Sequence, residues 1–359
     1  MLRTQFQKNI SLRDKNTLNL DVSTKYYIEI DNISELLEII CSDVLDNYKV
    51  FILGGGSNVL FSKNFQGLVL KANIKGVNVV YEDDESVHIR VGAGEDWPSL
   101  VEYSVNKGWG GIENLALVPG TAGAAPVQNI ACYGHSLHES LLSVEAIDLF
   151  DKSPKIFSVD ECDLGYRTSI FKTKLNGQTV ITHILLKLQK KPTLNTSYKS
   201  RYESVENELS LLATPPYSVK DVYNAIISIR RKKLPDVGSV GTVGSVFKNP
   251  LITMKKFKSV RDKCPGIHYY PKVHLSYDIE KDGIYSEAEM VKIPAAWLID
   301  EMGWAGKRVG NCGIWKTQPL NLINYGNATP AEYLSFIKMV KDAVWDKYSI
   351  DLETEVVIV

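Results

Sequence analysis

Val50-Phe51-Ile52-Leu53-Gly54-Gly55-Gly56-Ser57-Asn58 is a short apolar run that ends directly in three glycines, a hydroxyl and an amide. Four apolar residues stopped by glycine read as a buried strand. The glycines let the next turn fold tightly and aim several backbone N–H groups at an anion. Two phosphate-binding folds are excluded. A dinucleotide fingerprint needs glycine where Val59 stands and an acidic residue about 20 positions on. A Walker loop needs a Gly-Lys-Ser/Thr ending, which is missing here and in Gly303-Trp304-Ala305-Gly306-Lys307-Arg308. What remains is a strand-to-turn element that serves either as a structural turn or as a phosphate cradle outside both folds.

A second glycine-rich stretch, from Ile112 to Gly134, is small, apolar or amide-bearing and almost uncharged. Such a segment is no solvated loop; it is either a core crossover or a wall for a flat cofactor, and paired with 54–58 it reads as the wall. Around these two stretches, Tyr26–Ile30 reads as a strand. A helix through Leu36, Leu37, Ile40 and Leu45 follows, with Asn32 or Ser34 as its cap. Val77–Tyr81 and Ser86–Val91 read as a hairpin, and Asp96–Lys107 as a helix stopped by Gly108. Residues 1–25 are polar and weakly patterned.

Residues 143–189 alternate like strands around Tyr166-Arg167-Thr168-Ser169-Ile170-Phe171-Lys172, where a lone arginine must be paired or face a ligand. Residues 190–217 read as a loop or linker. Ser218-Val219-Lys220-Asp221 opens a helix with Val222, Ala225, Ile226 and Ile229 on its apolar face. That helix ends in Arg230-Arg231-Lys232-Lys233, cations that complement the helix dipole or hold an anionic ligand. Gly241-Thr242-Val243-Gly244-Ser245 through Pro250 reads as a glycine turn feeding a strand. The 251–292 segment has no clear pattern. Pro294 starts a helix that stops near Gly303, and Thr329-Pro330-Ala331-Glu332 starts another that runs to about Lys347. The last stretch, Leu352 to Val359, reads as a strand carrying Glu353 and Glu355.

The bulk numbers limit what this chain does. It has 359 residues, is 44% hydrophobic and 23% charged, and has a net charge of −1, so no overall field draws it to nucleic acid or an anionic membrane. That length accommodates two or three domains. Five scattered cysteines without a CxxC pair argue against a disulfide framework or a structural zinc site and fit a reducing cytosol. His135-Ser136-Leu137-His138-Glu139 matches neither zinc-protease order, so no metal is expected. No apolar run approaches the ~20 residues of a membrane span, and the expected location is cytoplasmic.

Taken in order, these segments resemble the flavin-dependent UDP-N-acetylenolpyruvoylglucosamine reductase family of bacterial peptidoglycan synthesis, in its longer, tyrosine-loop subtype. The likeness covers residue 25 to the C-terminus. Ile52–Leu60, Gly92-Ala93-Gly94-Glu95-Asp96-Trp97, 112–134, Gly165–Lys172, Arg230–Pro235, 244–250, Ala295–Asp300 and Glu353-Thr354-Glu355 carry it. The resemblance implies an α+β chain with a two-part FAD-binding region of the vanillyl-alcohol-oxidase (PCMH) type and a C-terminal α/β substrate-binding domain. The implied boundaries are 1–75, joined by the terminal strand 350–359, then 76–215, and 216–349 for the substrate domain.

The resemblance also implies non-covalent FAD held by Gly54, Gly55, Gly56, Ser57, Asn58 and Val59 and by Asn114, Pro119, Gly120, Gly123, Ala124, Gln128, Asn129, Tyr133 and Gly134. NADPH is the implied reductant and an enolpyruvyl ether of UDP-N-acetylglucosamine the implied substrate, reduced to UDP-N-acetylmuramate. Ser245 is then the proton donor, with Arg167 and Glu355 stabilising the enolate-like charge. Arg230, Lys233, Asn249, Gln318 and a loop tyrosine, Tyr202 rather than Tyr198, contact the substrate. Ala124-Ala125 and Ala131-Cys132 depart from the family pattern, which puts the hydrogen bonds to the ring in doubt. A monomer or weak oligomer is expected. An oxidase on the same scaffold is the alternative activity, and a non-catalytic binder is disfavoured by the joint presence of Arg167, Ser245 and Glu355.

Overall fold

The computed structural model describes residues 6–42, 45, 47–200, 203–236, 239–270 and 290–359. The chain forms two compact units that interleave in sequence. The first comprises Met1–Ile10, Thr24–Gly55 and Gln66–Lys232; the second comprises Ser11–Ser23, Gly56–Phe65 and Lys233–Val359. Each has its own apolar core, one built from Ile28 to Ile229 and the other from Leu18, Leu20, Leu60 and residues 243 to 356.

Two sheets organise the first unit. One orders the strands Gln7–Ser11, Ser23–Ile30, Phe65–Ala72 and Val50–Leu53, the last two parallel. The expected strand at 50–53 therefore exists, pairs in parallel with Phe65–Ala72, and itself delivers the chain into the glycines. The other sheet is antiparallel, in the order Pro154–Ser158, Leu141–Asp148, Thr179–Gln189, Ser86–Gly92 and Val77–Glu82. Helix Ile33–Ile40 is capped by Asn32, whose side chain accepts from the Glu35 N–H, and helix Trp97–Asn106 by Asp96, which accepts from Ser99. Helix Val219–Lys233 buries Val222, Ala225, Ile226 and Ile229, the four residues of its apolar periodicity.

On its outer face the antiparallel sheet carries a three-residue polar cluster. Arg90 donates to both carboxylate oxygens of Glu145, each at 2.7 Å, and lies 3.0 Å from Nδ1 of His183. Arg90 holds the Glu145 carboxyl below the usual range. Burial and the neighbouring Arg90 also push His183 down, outweighing the upward pull of Glu145 at 3.6 Å. Both folded pKa values thus lie below their unfolded counterparts, about 4.3 and 6.5. The stability they contribute is complete above those values and is lost as pH falls, first through His183 and then through Glu145. A urea titration is expected to give a lower midpoint at pH 5 than at pH 7. His183→Gln should flatten that difference; an undiminished slope would refute the assignment.

In the second unit an antiparallel sheet orders Gly241–Ser245, Gln318–Asn324, Cys312–Trp315 and Arg308–Val309. Helix Pro330–Tyr348 packs Tyr333, Phe336, Ile337, Val340, Val344 and Tyr348 into the core and starts in a full capping box between Thr329 and Glu332. Burial pushes the Cys312 thiol, and that of Cys162 in the first unit, up to about 12, so both are inert packing groups.

Several expectations need correction. Gly165–Lys172 is not strand but a run of turns closed by a Gly165–Thr168 bridge, because Arg167 has a left-handed φ of +57° that no ladder accepts. The 190–217 stretch contains a helix, Val205–Leu212, capped by Ser204. Residues 11–23 look polar but bury Leu12, Leu18, Leu20 and Val22. Gly241–Ser245 is itself the strand rather than a turn before one. In the last stretch the strand proper is Val357–Ile358, parallel to Val59–Leu60, and Thr354 before it bridges to Phe247. Part of the unassigned 251–292 segment forms strand Leu251–Thr253, helix Met254–Lys263 and strand Met290–Lys292.

Candidate active site

In the first unit the two glycine-rich stretches meet. A Cβ on Gly54 would come within 2.7 Å of the Ala124 Cβ, and one on Gly55 within 2.8 Å of the Gly120 Cα. Backbone therefore packs on backbone, which only glycine permits. Beyond this contact the 112–134 segment is held from three directions. Arg167 donates to the Ala131 carbonyl at 2.8 Å, Asn129 to Gly165 at 3.2 Å, and Ser169 to Val127 at 2.6 Å. These bonds clamp the Arg167 turn onto the segment. From the other side, Arg230 donates to the Leu117 carbonyl at 3.0 Å. The Arg230 Nε is buried and meets no acceptor among the described residues.

Backbone conformation within this region is unusual. Ten non-glycine residues among those described have positive φ, and five of them lie here: Leu117, Asn129, Tyr133, Asp163 and Arg167. Each such residue costs of order 1–3 kcal/mol and persists only when its surroundings over-determine it. The clamps named above act at Leu117, Asn129 and Arg167. Asn114 adds two more bonds, donating to the carbonyls of Tyr133 at 2.8 Å and Asn195 at 2.9 Å. The amide nitrogens of Asn114 and Asn129 thus act on protein carbonyls. Burial pushes the Tyr133 hydroxyl pKa upward, so it stays neutral.

The second unit brings together residues far apart in sequence. Gly244, at φ +73°, precedes Ser245, and the pairing of this strand with Gln318–Asn324 shifts register between Thr242 and Ser245. That bulge re-aims Ser245, which is half-buried. Alongside runs the 353–355 segment. Lys248 N–H donates to Glu353 O at 2.9 Å and Glu355 N–H to Val246 O at 2.8 Å, with Phe247 and Thr354 bridged between them. Glu355 is thereby fixed one residue from Ser245 across the pair. The Asn58 amide donates to the Glu355 carbonyl at 3.3 Å, so the end of the triple-glycine turn reaches the same place.

Thr17 joins these pieces, and the sequence reading missed it. Its N–H donates to Gly56 O at 3.1 Å, its hydroxyl to Thr242 O at 2.6 Å, and its carbonyl accepts from the Thr242 N–H at 2.8 Å. The signal was present: Leu18, Leu20 and Val22 alternate with polar residues, as in an extended segment with one face buried. Elsewhere in this unit the Lys233 carbonyl accepts from Trp315 Nε1 at 3.1 Å and from the Thr317 hydroxyl at 2.6 Å, next to Gln318. Asn249 Oδ1 accepts from the Ala295 N–H at 3.0 Å, at the start of helix Ala295–Asp300. Tyr202 lies outside the described residues.

The glycine cradle suits an anionic, flat cofactor. Among the described residues, the N–H groups of Gly55 and Gly56 reach no backbone carbonyl, which leaves donors for a diphosphate. Comparison with known proteins agrees. A family model described as the C-terminal domain of UDP-N-acetylenolpyruvoylglucosamine reductase matches residues 236–359, and one for an FAD binding domain matches 24–151. UDP-N-acetylenolpyruvoylglucosamine reductase of Flavobacterium johnsoniae is 38% identical over 98% of this chain and 99% of its own length. The chain belongs to the UDP-N-acetylenolpyruvoylglucosamine reductase family. The Vibrio vulnificus member is 36% identical over 98% of this chain and 94% of its own length. In fold the chain is similar to the Thermus caldophilus reductase, at TM-score 0.66 and 19% identity over 99% of both chains. As a member of this reductase family it is an FAD-containing oxidoreductase of mixed α and β structure. No helix among the described residues is long and apolar enough to cross a membrane.

Proposed function

We propose that this chain reduces the enolpyruvyl ether of UDP-N-acetylglucosamine to UDP-N-acetylmuramate, with NADPH as reductant, in cytoplasmic peptidoglycan precursor synthesis. The observation that supports the reading is the backbone pairing of 246–248 with 353–355, which sets Glu355 opposite Val246, the residue after Ser245.

FAD held by Gly54–Val59 and the 112–134 segment would supply the hydride chemistry that connects NADPH to the vinyl terminus. The chain's own groups do the rest. Negative charge develops on the carbon beside the carboxylate, where the Ser245 hydroxyl delivers its proton and is later reprotonated from solvent. A serine suffices as the acid because a carbanionic carbon is strongly basic. We assign Arg167 to compensating the enolate charge and Glu355 to stabilising the same intermediate, each such group contributing about 2.7–4 kcal/mol. Arg230, Lys233, Asn249 and Gln318 are assigned to the carboxylate and diphosphate of the sugar nucleotide; the buried Arg230 Nε supports its part. Gly54–Val59 and the 112–134 segment are assigned to FAD, with 76–215 as the second half of its binding region.

The test is optical. Purified protein is expected to be yellow, to bleach anaerobically with NADPH, and to regain its colour on addition of the enolpyruvyl substrate. Rapid oxygen-driven turnover of an alcohol or sugar, without response to that substrate, would instead identify an oxidase.

A further inference from the structure

Tyr133 and Gly134 are consecutive residues with left-handed backbones, at φ +47° and +79°. They are the two loop residues of the hairpin that pairs Ala131–Cys132 with His135–Ser136, a turn that requires both to be left-handed, and their carbonyls point out of the ladder and must find donors. Both donors are side-chain amides. Asn114 serves the Tyr133 carbonyl, and Asn195 Nδ2 serves Gly134 O at 2.7 Å. The two amides are themselves linked, since Asn114 also donates to the Asn195 carbonyl. Asn195 Oδ1 in turn accepts from the Ser197 hydroxyl at 3.1 Å. Three residues on, the Tyr198 ring meets the Tyr133 ring edge-on, with centroids 5.3 Å apart. The segment then continues into Val205, whose N–H donates to Tyr198 O, at the start of helix Val205–Leu212. That helix is fixed to Val219–Lys233 through Glu208, which accepts from Ser228 and Lys232, both at 2.6 Å.

We propose that Asn195 is a positioning residue for the cofactor: its amide braces the Tyr133–Gly134 hairpin turn at the Gly134 carbonyl and so sets the wall against which the flavin lies. It further links that wall, through Tyr198, to the segment that leads to the cationic helix. This inference rests on the assignment of Tyr133 and Gly134 to FAD.

Asn195→Asp tests it, because the variant keeps the size and the Ser197 bond but replaces the donor to Gly134 with an acceptor. In the holoenzyme it is expected to shift the visible flavin absorbance envelope and raise the FAD dissociation constant about tenfold or more. Ser197→Ala, which leaves the Asn195–Gly134 bond in place, should change neither. A Cβ on Gly134 would come within 3.2 Å of Asn195 Nδ2, so Gly134→Ala serves as the control for the wall itself. If Gly134→Ala perturbs the flavin and Asn195→Asp does not, the role of Asn195 is overturned. If neither perturbs it, the assignment of this wall to FAD fails as well. A fall in thermal stability of Asn195→Asp with an unchanged spectrum and FAD affinity would mark a structural bond only, and would also overturn the proposal.

Discussion

Ser245→Ala is expected to keep the NADPH-driven loss of flavin colour and to slow formation of the reduced sugar nucleotide by about 10²–10⁴-fold, the usual worth of a positioned acid. The separation follows from where the residue lies. Ser245 is the last residue of its strand, half-buried, and preceded by a glycine around which a Cβ would find open space. Removing its hydroxyl takes away a proton source without opening a cavity in the core, so the first half of the reaction should proceed at its normal rate. Stopped-flow measurement of each half separately decides the matter. An equal fall in both halves would mean that the serine supports the fold or the cofactor instead. Ser245→Cys, which retains a proton to give, should fall between the parent and the alanine variant.

Gly56→Ala should be the most damaging of the small substitutions in the glycine turn. Its φ of +68° costs any other residue about 1–2 kcal/mol. The added Cβ would also lie 2.1 Å from the Lys15 carbonyl oxygen and 2.9 Å from the Asn16 Cα. That backbone has little freedom to retreat. The Asn16 side chain is buried and bonded to Leu12 O at 2.7 Å, Leu20 O at 3.1 Å and the Leu20 N–H at 3.0 Å. Gly108→Ala makes the comparison clean, since Gly108 has a similar φ of +76° and nothing within 4 Å of its added carbon. Purified Gly56→Ala should be pale or insoluble, while Gly108→Ala stays yellow with a slightly lower melting temperature. Equal behaviour of the two variants would show that the contact with residues 15–16 yields easily.

The local signals in the sequence were legible where one element decides its own structure. Capping by Asn32, Asp96 and Thr329, the apolar face of Val219–Lys233 and the Val50–Leu53 strand all follow from residues within a turn or two of each other. Arg167 was misplaced for the opposite reason. Its neighbours Tyr166, Ile170 and Phe171 have a strand-like composition, yet its left-handed backbone sits in a turn closed by the Gly165–Thr168 bridge, and its side chain reaches the distant Ala131 carbonyl, which local pattern does not reveal. Thr17 and Asn195 were overlooked because their importance lies in long-range hydrogen bonds, to Thr242 and Gly134, and polar residues in a polar stretch announce nothing. For the site itself, residue types allowed a catalytic serine but did not single it out. The family likeness raised Ser245 and Glu355, and the ladder between 246–248 and 353–355 explains physically how such distant residues become neighbours.

The interleaving of the two units has a consequence for how the molecule is made. Leu18, Leu20, Leu60 and Phe61 are fully buried in the finished protein, in segments whose remaining core partners start at Val243. On the ribosome, at about 5–20 residues per second, these side chains must wait for roughly 15–70 s before the rest of their core is synthesised. Non-local contacts of this kind are slow to form and leave apolar surface uncovered meanwhile. Nascent chains are therefore expected to depend on chaperones until residues 243–356 have been made.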